Sequence, residues 1–561
     1  MPELKQNDII TVEIIDDGME GEGIARTNNT TVFIPYCLKG EKVTAKINHA
    51  KRNVAYADLK EVLVPSPYRV TPPCNRFGKC GGCNLLHIDY FVQPEIKRQN
   101  LIRLLRKNAG IDFVPEPTEP CSHPYSYRNK IQLPFGYVAL EKRVTLGFYR
   151  ENTHKVVAIT KCFLHGEWAE KLIGVFLDYA NRFSLSVYDE NTGKGHLKHL
   201  VARYVDGKIS VTVVTDNQPL RHVDYLLKKL GETFDDFSLY QSKKPEKTNV
   251  IMGKTVIPIK YSPFVIDVLG IKTELNPYSF LQLNDEIRDK IYTKIIDDIP
   301  ACSVVIDAYA GVGTLGAVLA KKGCTVKNIE IVKEATADGD KLARLNGLTD
   351  KITNINGDAA KELPILISRL SDTQNINSVN ISIILDPPRK GCDEKVLNAI
   401  NSLSVPFTLH YISCNPATLT RDLKILLSGG NYEINYIKPY DMFPNTSHVE
   451  TLVVLSHKKP DSHLKVKIDF DNTSLDKTAI AERAEKRKPQ EKTTYKKIQE
   501  WIEENYGFKV YTAYVAEVKR ELGLPMYDAP NAVEELKRPR SHPTEEMTIA
   551  IKAALKHFEI I

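Results

Sequence analysis

The sequence predicts a multidomain α/β protein. A doubly wound, mostly parallel sheet follows a small β-barrel and a mixed α+β domain, and precedes a short helical extension. Three observations carry that reading. Between residues 303 and 427, five apolar or β-branched runs (303–307, 325–331, 352–356, 379–385 and 407–413) alternate with helical stretches, the pattern of parallel strands joined by crossover helices. The first 65 residues instead hold short alternating strands separated by glycine turns, which suits a small barrel. At 561 residues the chain exceeds what one hydrophobic core organises. The expected divisions are 1–65, 66–265 and 266–458, then a charged linker at 459–490 and a helical extension at 491–561.

Charge and cysteine usage narrow the function classes. Lys and Arg total 76 against 70 Asp and Glu, a net charge of +6. That is compatible with a nucleic-acid partner without demonstrating one. No apolar run approaches the roughly 20 residues that span a bilayer. The start, Met1-Pro2-Glu3-Leu4-Lys5-Gln6, has no apolar signal core. A cytoplasmic protein with no membrane partner is expected. Ten cysteines, three of them tightly clustered, argue for metal binding and catalysis rather than a disulfide framework.

In the first division, 8–15, 31–35, 41–47 and 56–64 read as strands, and Gly18, Gly21 and Gly23 mark a turn. The outcome is an OB-type barrel. Lys42, Lys46, His49, Lys51 and Arg52 are available to a phosphate backbone, although a solvated charged face gives the same pattern. The run Asp17-Gly18-Met19-Glu20-Gly21-Glu22-Gly23-Ile24-Ala25-Arg26, with Val32-Phe33-Ile34-Pro35 and Gly40-Glu41-Lys42-Val43, resembles the TRAM domain. That resemblance implies an RNA-binding barrel attached to an RNA-modifying enzyme.

In the second division, Cys74, Cys80 and Cys83 form Cys-x5-Cys-Gly-Gly-Cys after Pro72-Pro73. Closely spaced thiolates with intervening glycines can wrap one face of a metal centre, and a fourth ligand must come from elsewhere. Cys162 is the better candidate, with Cys121 and His87 as alternatives. Four thiolates suit either a [4Fe–4S] cluster or structural zinc. The spacing looks like the iron–sulfur motif of bacterial RNA uracil-5-methyltransferases, as does Leu86-His87-Ile88-Asp89-Tyr90 with Gln93 and Lys97. The resemblance implies a [4Fe–4S] cluster on Cys74, Cys80, Cys83 and Cys162. Tyr125-Ser126-Tyr127-Arg128-Asn129-Lys130 opens a strand at 131–135, with a neighbour at 146–150. Arg128 and Lys130 suit phosphate or base contacts. In that family such a segment lies by the active site, which implies Arg128 as a substrate contact. More strands are expected within 199–216 and 250–260, and helix, turn and loop over 221–249.

The third division opens on Pro277 to Asn284 and a helix at 285–296. Ala310-Gly311-Val312-Gly313-Thr314-Leu315-Gly316 then follows the first strand and opens a helix to Lys322. An acid, Glu330, stands 17 residues past Gly313. This pattern serves NAD and S-adenosylmethionine (AdoMet) enzymes alike. Asp307 and Asp358, each at a strand end, favour AdoMet: one can face its cationic methionine end, the other its adenine amino group. A helix cap or turn explains each acid singly. Runs at 432–439 and 450–455, joined without a clear helix, complete a seven-stranded methyltransferase-type, Rossmann-like sheet.

Cys414 lies in Tyr411-Ile412-Ser413-Cys414-Asn415-Pro416, between a strand and a helix at 417–427. The positive helix end is expected to favour its thiolate. An inert buried cysteine at a corner gives the same local pattern. Asp386-Pro387-Pro388-Arg389 and Asp441 to Glu450 complete the set, which closely resembles the RNA 5-methyluridine methyltransferase signature over residues 5–456. The resemblance implies that Cys414 adds to uracil C6, Glu450 accepts the C5 proton and Asp386 contacts the uracil. It also implies that Gln282, Tyr309, Thr314, Glu330, Asp358 and Asp386 bind AdoMet. The substrate would be a flipped-out uridine in RNA, 23S rRNA first and tRNA second, met by a monomer. Ala310 and Leu281 depart from residues common in relatives, without loss of a functional group. A binding protein on a degenerate methyltransferase fold would lack Cys414 or Glu450, and an NAD enzyme would leave both unexplained.

In the tail, Tyr495, Ile498, Trp501 and Ile502 recur at helical spacing, and 511–522 and 544–558 read as further helices. Lys537-Arg538-Pro539-Arg540 is basic. The module is expected either to touch RNA or ribosomal protein, or to pack on the catalytic domain.

Overall fold

The computed structural model describes residues 4–27, 29–245, 248, 250–371, 380–403, 406–457, 495–522 and 542–558. The chain forms two compact units, residues 1–458 and 459–561. Among the described residues no helix is long and apolar enough to cross a membrane. All ten cysteines are free thiols.

The first unit starts with β1 (Ile9–Asp17), β2 (Gly23–Thr27), β3 (Thr30–Ile34), β4 (Lys42–Lys51) and β5 (Val54–Val64), closed into a barrel in the order β1-β2-β3-β5-β4. Ile14, Val32, Ile34, Val43, Ala45 and Ile47 fill it. Strand β2 is one more than the sequence indicated. Its glycine-rich entry reads as a turn, and only the pairing of Gly23 with Ile34 and of Thr27 with Thr30 reveals the hairpin.

Helix α1 (Gln93–Leu104) leads to a seven-stranded sheet of β6 (Lys130–Val138), β7 (Arg143–Tyr149), β8 (Val156–Ala158), β9 (Leu197–Val205), β10 (Lys208–Thr215), β11 (Asp236–Lys243) and β12 (Thr255–Lys260). Its order is β12-β11-β10-β9-β6-β7-β8. Helices α2 (Glu167–Arg182) and α3 (Val223–Thr233) pack on it through Trp168, Leu172, Phe176, Leu226 and Leu230. Strand β11 falls within a segment expected to be helix, turn and loop. It carries buried polar residues that hide its character: Gln241 Nε2 donates to Thr215 Oγ1 at 2.7 Å and to Gln218 O at 2.7 Å.

After a hairpin of β13 (Val265–Val268) and β14 (Ile271–Glu274) comes α4 (Asp285–Asp298), whose N-terminus is capped by the Asn284 side chain. The alternation then runs β15 (Val304–Ala308), α5 (Thr314–Lys322), β16 (Thr325–Glu330), α6 (Lys333–Leu345), β17 (Ile352–Asn356), α7 (Ala359–Ser371), β18 (Ile381–Leu385), α8 (Glu394–Asn401), β19 (Phe407–Ser413), α9 (Pro416–Leu427), β20 (Tyr432–Tyr440) and β21 (Glu450–His457). The sheet order is β17-β16-β15-β18-β19-β21-β20, parallel as far as β19 and antiparallel at β21. Its central strands β15 and β18 are largely buried because both faces of the sheet are covered. Leu363, Leu397 and Leu419 build one core, and Ile291, Leu319 and Leu342 build the other. The sheet reverses direction of growth between β15 and β18, so the crevice at their carboxyl ends is where ligands bind in such folds.

The second unit is three helices, α10 (Tyr495–Tyr506), α11 (Thr512–Glu521) and α12 (Glu545–His557), around Ile498, Ile502, Val515, Val518, Ile551 and Leu555. Trp501 stacks on His557 at 4.8 Å between centroids. The linker at 459–490 and the basic run at 537–540 lie outside the described residues.

Candidate active site

Three strand ends meet at one edge of the catalytic sheet. Asp386 follows β18, Cys414 follows β19, and Glu450 opens β21. Leu385 pairs with Tyr411, and Ser413 with Thr451. The register therefore brings the Cys414 thiol within electrostatic reach of both carboxyls. The corner is fixed locally. Asn415 caps α9 by accepting the Ala417 N–H at 3.0 Å, and Ser413 Oγ accepts the Asn415 N–H at 3.2 Å.

The electrostatics reverse the expectation for Cys414. Burial, then the Glu450 and Asp386 carboxyls, push its thiol up to about 12, while the Arg389 guanidinium opposes them. Burial, with the two nearby carboxyls, outweighs a helix end whose Ala417 N–H already serves the Asn415 cap. Glu450 is 1 % exposed and its Oε1 has no hydrogen-bond partner. Burial and then Asp386 raise it well above the usual carboxylate range. Burial likewise raises Asp386, to about 7, against a hydrogen bond from Gln282. The site thus holds a thiol and two proton-retaining carboxyls, the makings of a nucleophile and a general base.

The neighbouring glycine loop turns tightly, with Tyr309 at φ +70° and Gly313 at φ +76°. A Cβ on Gly313 would stand 2.4 Å from Asn328 Nδ2, so the position requires glycine. Glu330 holds the loop, its Oε2 accepting the Gly311 N–H at 2.9 Å and its Oε1 the Val332 N–H at 2.8 Å. Thr314 Oγ1 is buried without a partner. Asp307, 3 % exposed, is raised to about 8 by burial, then by Asp386 and Glu330. Asp358 is exposed and accepts the Ala360 N–H at 3.0 Å, a cap for α7. It stays beside the loop because Gly357 N–H donates to Glu330 O at 3.0 Å. The backbone carbonyl of Gln282 accepts from Asn129 Nδ2 at 2.9 Å, which ties the Tyr-Arg-Asn-Lys segment to the site. An orphaned hydroxyl, a carboxyl that lacks a cation and a backbone cradle together fit a nucleoside ligand with a cationic end.

The loop from Asp441 to Glu450 is pinned by α1 and the segment before it. Lys97 Nζ donates to Asp441 Oδ1 at 2.5 Å with both side chains almost fully buried. Gln93 Oε1 accepts the Asn445 N–H at 2.9 Å, and Asn84 Oδ1 the Ser447 N–H at 2.8 Å. Sequence motifs drew attention to Gln93 and Lys97, and the structure supplies their partners. A cleft beside Cys414 is lined by Met19 and Glu20 of the barrel, Arg389 and His448. Arg389 and His448 also line a second cleft that reaches Tyr56, 52 % exposed and stacked on Phe33.

Cys74, Cys80, Cys83 and Cys162 line one small pocket together with Arg128. Cys121 and His87 do not line it. Cys121 instead lies near Glu286 and Asn284. Burial raises Cys83 to about 12 and raises Cys80 and Cys162 as well. Yet no group of three or more His, Cys, Asp or Glu among the described residues is arranged to hold a metal ion. The thiols share a cavity without ligand geometry. Arg128 borders that cavity and the second cleft, its Nε 3.4 Å from Tyr127 Oη.

Comparison with known proteins adds two family matches: tRNA (Uracil-5-)-methyltransferase over residues 262–458, and the TRAM domain over residues 3–60. An uncharacterized RNA methyltransferase of Clostridium tetani is 36% identical over 461 residues, covering 81% of this chain and 97% of its own. One from Halalkalibacterium halodurans is 35% identical over 462 residues, covering 81% and 98%. Among solved structures, the tRNA (uracil-54, C5)-methyltransferase of Pyrococcus abyssi in complex with S-adenosyl-L-homocysteine superposes with a TM-score of 0.63 at 24% identity, covering 79% of this chain and 99% of that one.

Proposed function

The chain belongs to the family of RNA (uracil-5-)-methyltransferases with a TRAM domain, and from that premise we propose that it methylates C5 of a flipped-out uridine through a covalent bond between Cys414 and C6. The observation that carries this reading is the shared sheet edge of Cys414, Glu450 and Asp386. Uracil C5 is a weak nucleophile. Addition of the Cys414 thiolate to C6 converts C4–C5 into an enolate, and C5 then takes the methyl group. Glu450 removes the C5 proton, the electrons of that C–H bond reform C5=C6, and Cys414 leaves as thiolate. Asp386 holds the uracil ring and Arg128 the adjoining RNA.

AdoMet supplies the electrophilic methyl. Thr314 and Glu330 would hold its ribose side, Asp358 its adenine and Asp307 its amino-acid end, with Gln282 and Tyr309 completing the wall. The preferred substrate is 23S rRNA in the cytoplasm, acted on by a monomer. The uracil-54 neighbour keeps tRNA as the second candidate. Cys74, Cys80, Cys83 and Cys162 are proposed to hold a [4Fe–4S] cluster, supported by their convergence on one cavity. Its role would be structural, since methyl transfer moves no single electron. Iron and sulfide analysis of anaerobically purified protein tests it, and metal-free, folded, active protein would refute it.

The deciding experiment uses RNA carrying 5-fluorouridine. Fluorine cannot leave as a proton, so elimination stalls with Cys414 bonded to C6. A denaturation-resistant adduct, lost in Cys414→Ala, is expected with an rRNA fragment. AdoMet binding without an adduct on any RNA would overturn the covalent route.

A further inference from the structure

Helix α9 carries Cys414 at its N-terminal corner, and one face of it grips the backbone of the loop that carries Asp386 and Arg389. Asn415 Nδ2 donates to Arg389 O at 3.1 Å, and Thr418 Oγ1 to the same carbonyl at 3.3 Å. Arg421 donates to Lys390 O at 3.0 Å and Cys392 O at 3.2 Å. The last member, Asp422, is fully buried. Its Oδ2 accepts the Cys392 N–H at 2.8 Å and the Tyr411 O–H at 2.6 Å, while its Oδ1 faces the Arg421 guanidinium. Residues 415, 418 and 422 lie on one stripe of the helix, so the first two turns of α9 fasten the loop.

The loop is shaped for this grip. Gly391 sits at φ +78°, and a Cβ there would stand 2.6 Å from Asp422 Oδ2 and 3.1 Å from Thr418 Cβ. Glycine lets the chain pass directly over the carboxylate. The grip also reaches the cofactor side. The Cys392 thiol lies within hydrogen-bonding reach of the Tyr309 and Tyr411 hydroxyls. Because Tyr411 donates to Asp422, its oxygen is free to accept from Cys392, whose sulfur can accept from Tyr309.

We propose that Asp422 is a positioning residue for methyl transfer: it locks the Asp386–Arg389 loop to the helix that presents Cys414, and through Tyr411 and Cys392 it ties both to Tyr309. The proposal rests on the uracil-methylation reading and touches neither uracil nor AdoMet. The sequence hides it, because an acid inside a helix reads as a solvated residue.

The test compares Asp422→Ala, Asp422→Asn and Tyr411→Phe as full chains, measuring adduct rate with 5-fluorouridine RNA, kcat, KM for RNA, AdoMet affinity and thermal midpoint. In Asp422→Ala a loosened register is expected to slow adduct formation and kcat by about 100-fold, with KM and AdoMet affinity within about threefold of the parent. Asp422→Asn can place its amide oxygen where Oδ2 stands. It is expected to recover most of that loss, with Arg421 released to solvent. If Asp422→Ala fails to fold, Tyr411→Phe, which leaves the carboxylate paired with Arg421 and Cys392, is expected to show a smaller kcat loss of the same kind. Unchanged kcat in folded Asp422→Ala, an Asn variant as poor as Ala, or losses that track only the folded fraction would overturn the proposal. Absence of any adduct in the parent enzyme would instead refute the covalent reading.

Discussion

Cys414, the residue after β19, and Glu450, the first residue of β21, each stand one position beyond the Ser413–Thr451 pair that closes the β19–β21 ladder. Glu450 also pairs with Tyr440 of β20, so sheet hydrogen bonds hold its backbone in place beside the thiol. A carboxyl kept this dry is a stronger base once ionised than one in water, and its free Oε1 has no competing donor.

Replacing Glu450 with Gln keeps the shape and removes the base. Attack of Cys414 and methyl addition remain possible, but removal of the C5 proton does not. Turnover is expected to fall by roughly 10²- to 10⁴-fold, with a denaturation-resistant complex accumulating on ordinary, unfluorinated RNA. Gel analysis after a single turnover reads this directly. A variant that is slow yet accumulates no complex would assign the proton to another group.

The same neighbours govern the resting thiol. With Cys414 pushed up to about 12 by burial and two carboxyls, the cofactor-free enzyme should be a poor target for iodoacetamide at neutral pH. Its labelling rate should climb about tenfold per pH unit as the thiolate fraction grows. Above the pH at which Glu450 ionises, Glu450→Gln removes one of the opposing charges and is expected to label faster, while below that pH the two proteins are expected to label alike. Mass spectrometry of the labelled peptide checks it, and rapid labelling of the parent at pH 7 would contradict the electrostatics.

Asp307 links the cofactor site to stability. Its carboxyl rises from an ordinary 3.8 to about 8 on folding, so the folded state holds the proton more tightly than the unfolded one. The contribution of Asp307 to stability is therefore fully present below about pH 4 and is lost as pH climbs through 8, by on the order of 5 kcal/mol at most. Asp386, raised to about 7, acts in the same direction. Asp307→Asn mimics the neutral form. It should match the parent near pH 4, melt several degrees higher at pH 9 and bind AdoMet more weakly. Equal melting at both pH values would remove Asp307 from this account.

These electrostatic effects mark where reading the sequence stops. The strand–helix alternation, the glycine loop and the motifs around Asp386, Cys414 and Glu450 are contiguous stretches, so their pattern survives in one dimension. The state of Cys414 does not, because it depends on carboxyls that only the sheet register brings near. A helix N-terminus alone argued for the opposite sign. Strand β11 was hidden for a related reason: Ser238, Gln241 and Ser242 are buried, and their partners lie on other strands and turns. The cysteine set converged on one cavity, but spacing could not say how its sulfurs would be arranged.

The Lys97–Asp441 pair shows what a single contact far apart in sequence can decide. Lys97 is 1 % exposed and Asp441 is fully buried. The ammonium also donates to Phe443 O at 3.1 Å, so it holds the loop that ends in Glu450 from within. Lys97→Met would leave the Asp441 carboxylate buried without its cation, a change that typically costs roughly 3–5 kcal/mol. The thermal midpoint should fall by several degrees, and kcat should fall further than KM rises because Glu450 loses its support. Adding Asp441→Asn removes the stranded charge, and should restore much of the stability but little of the activity. If the double variant recovers both in proportion, the pair serves stability alone and the loop finds its place without it.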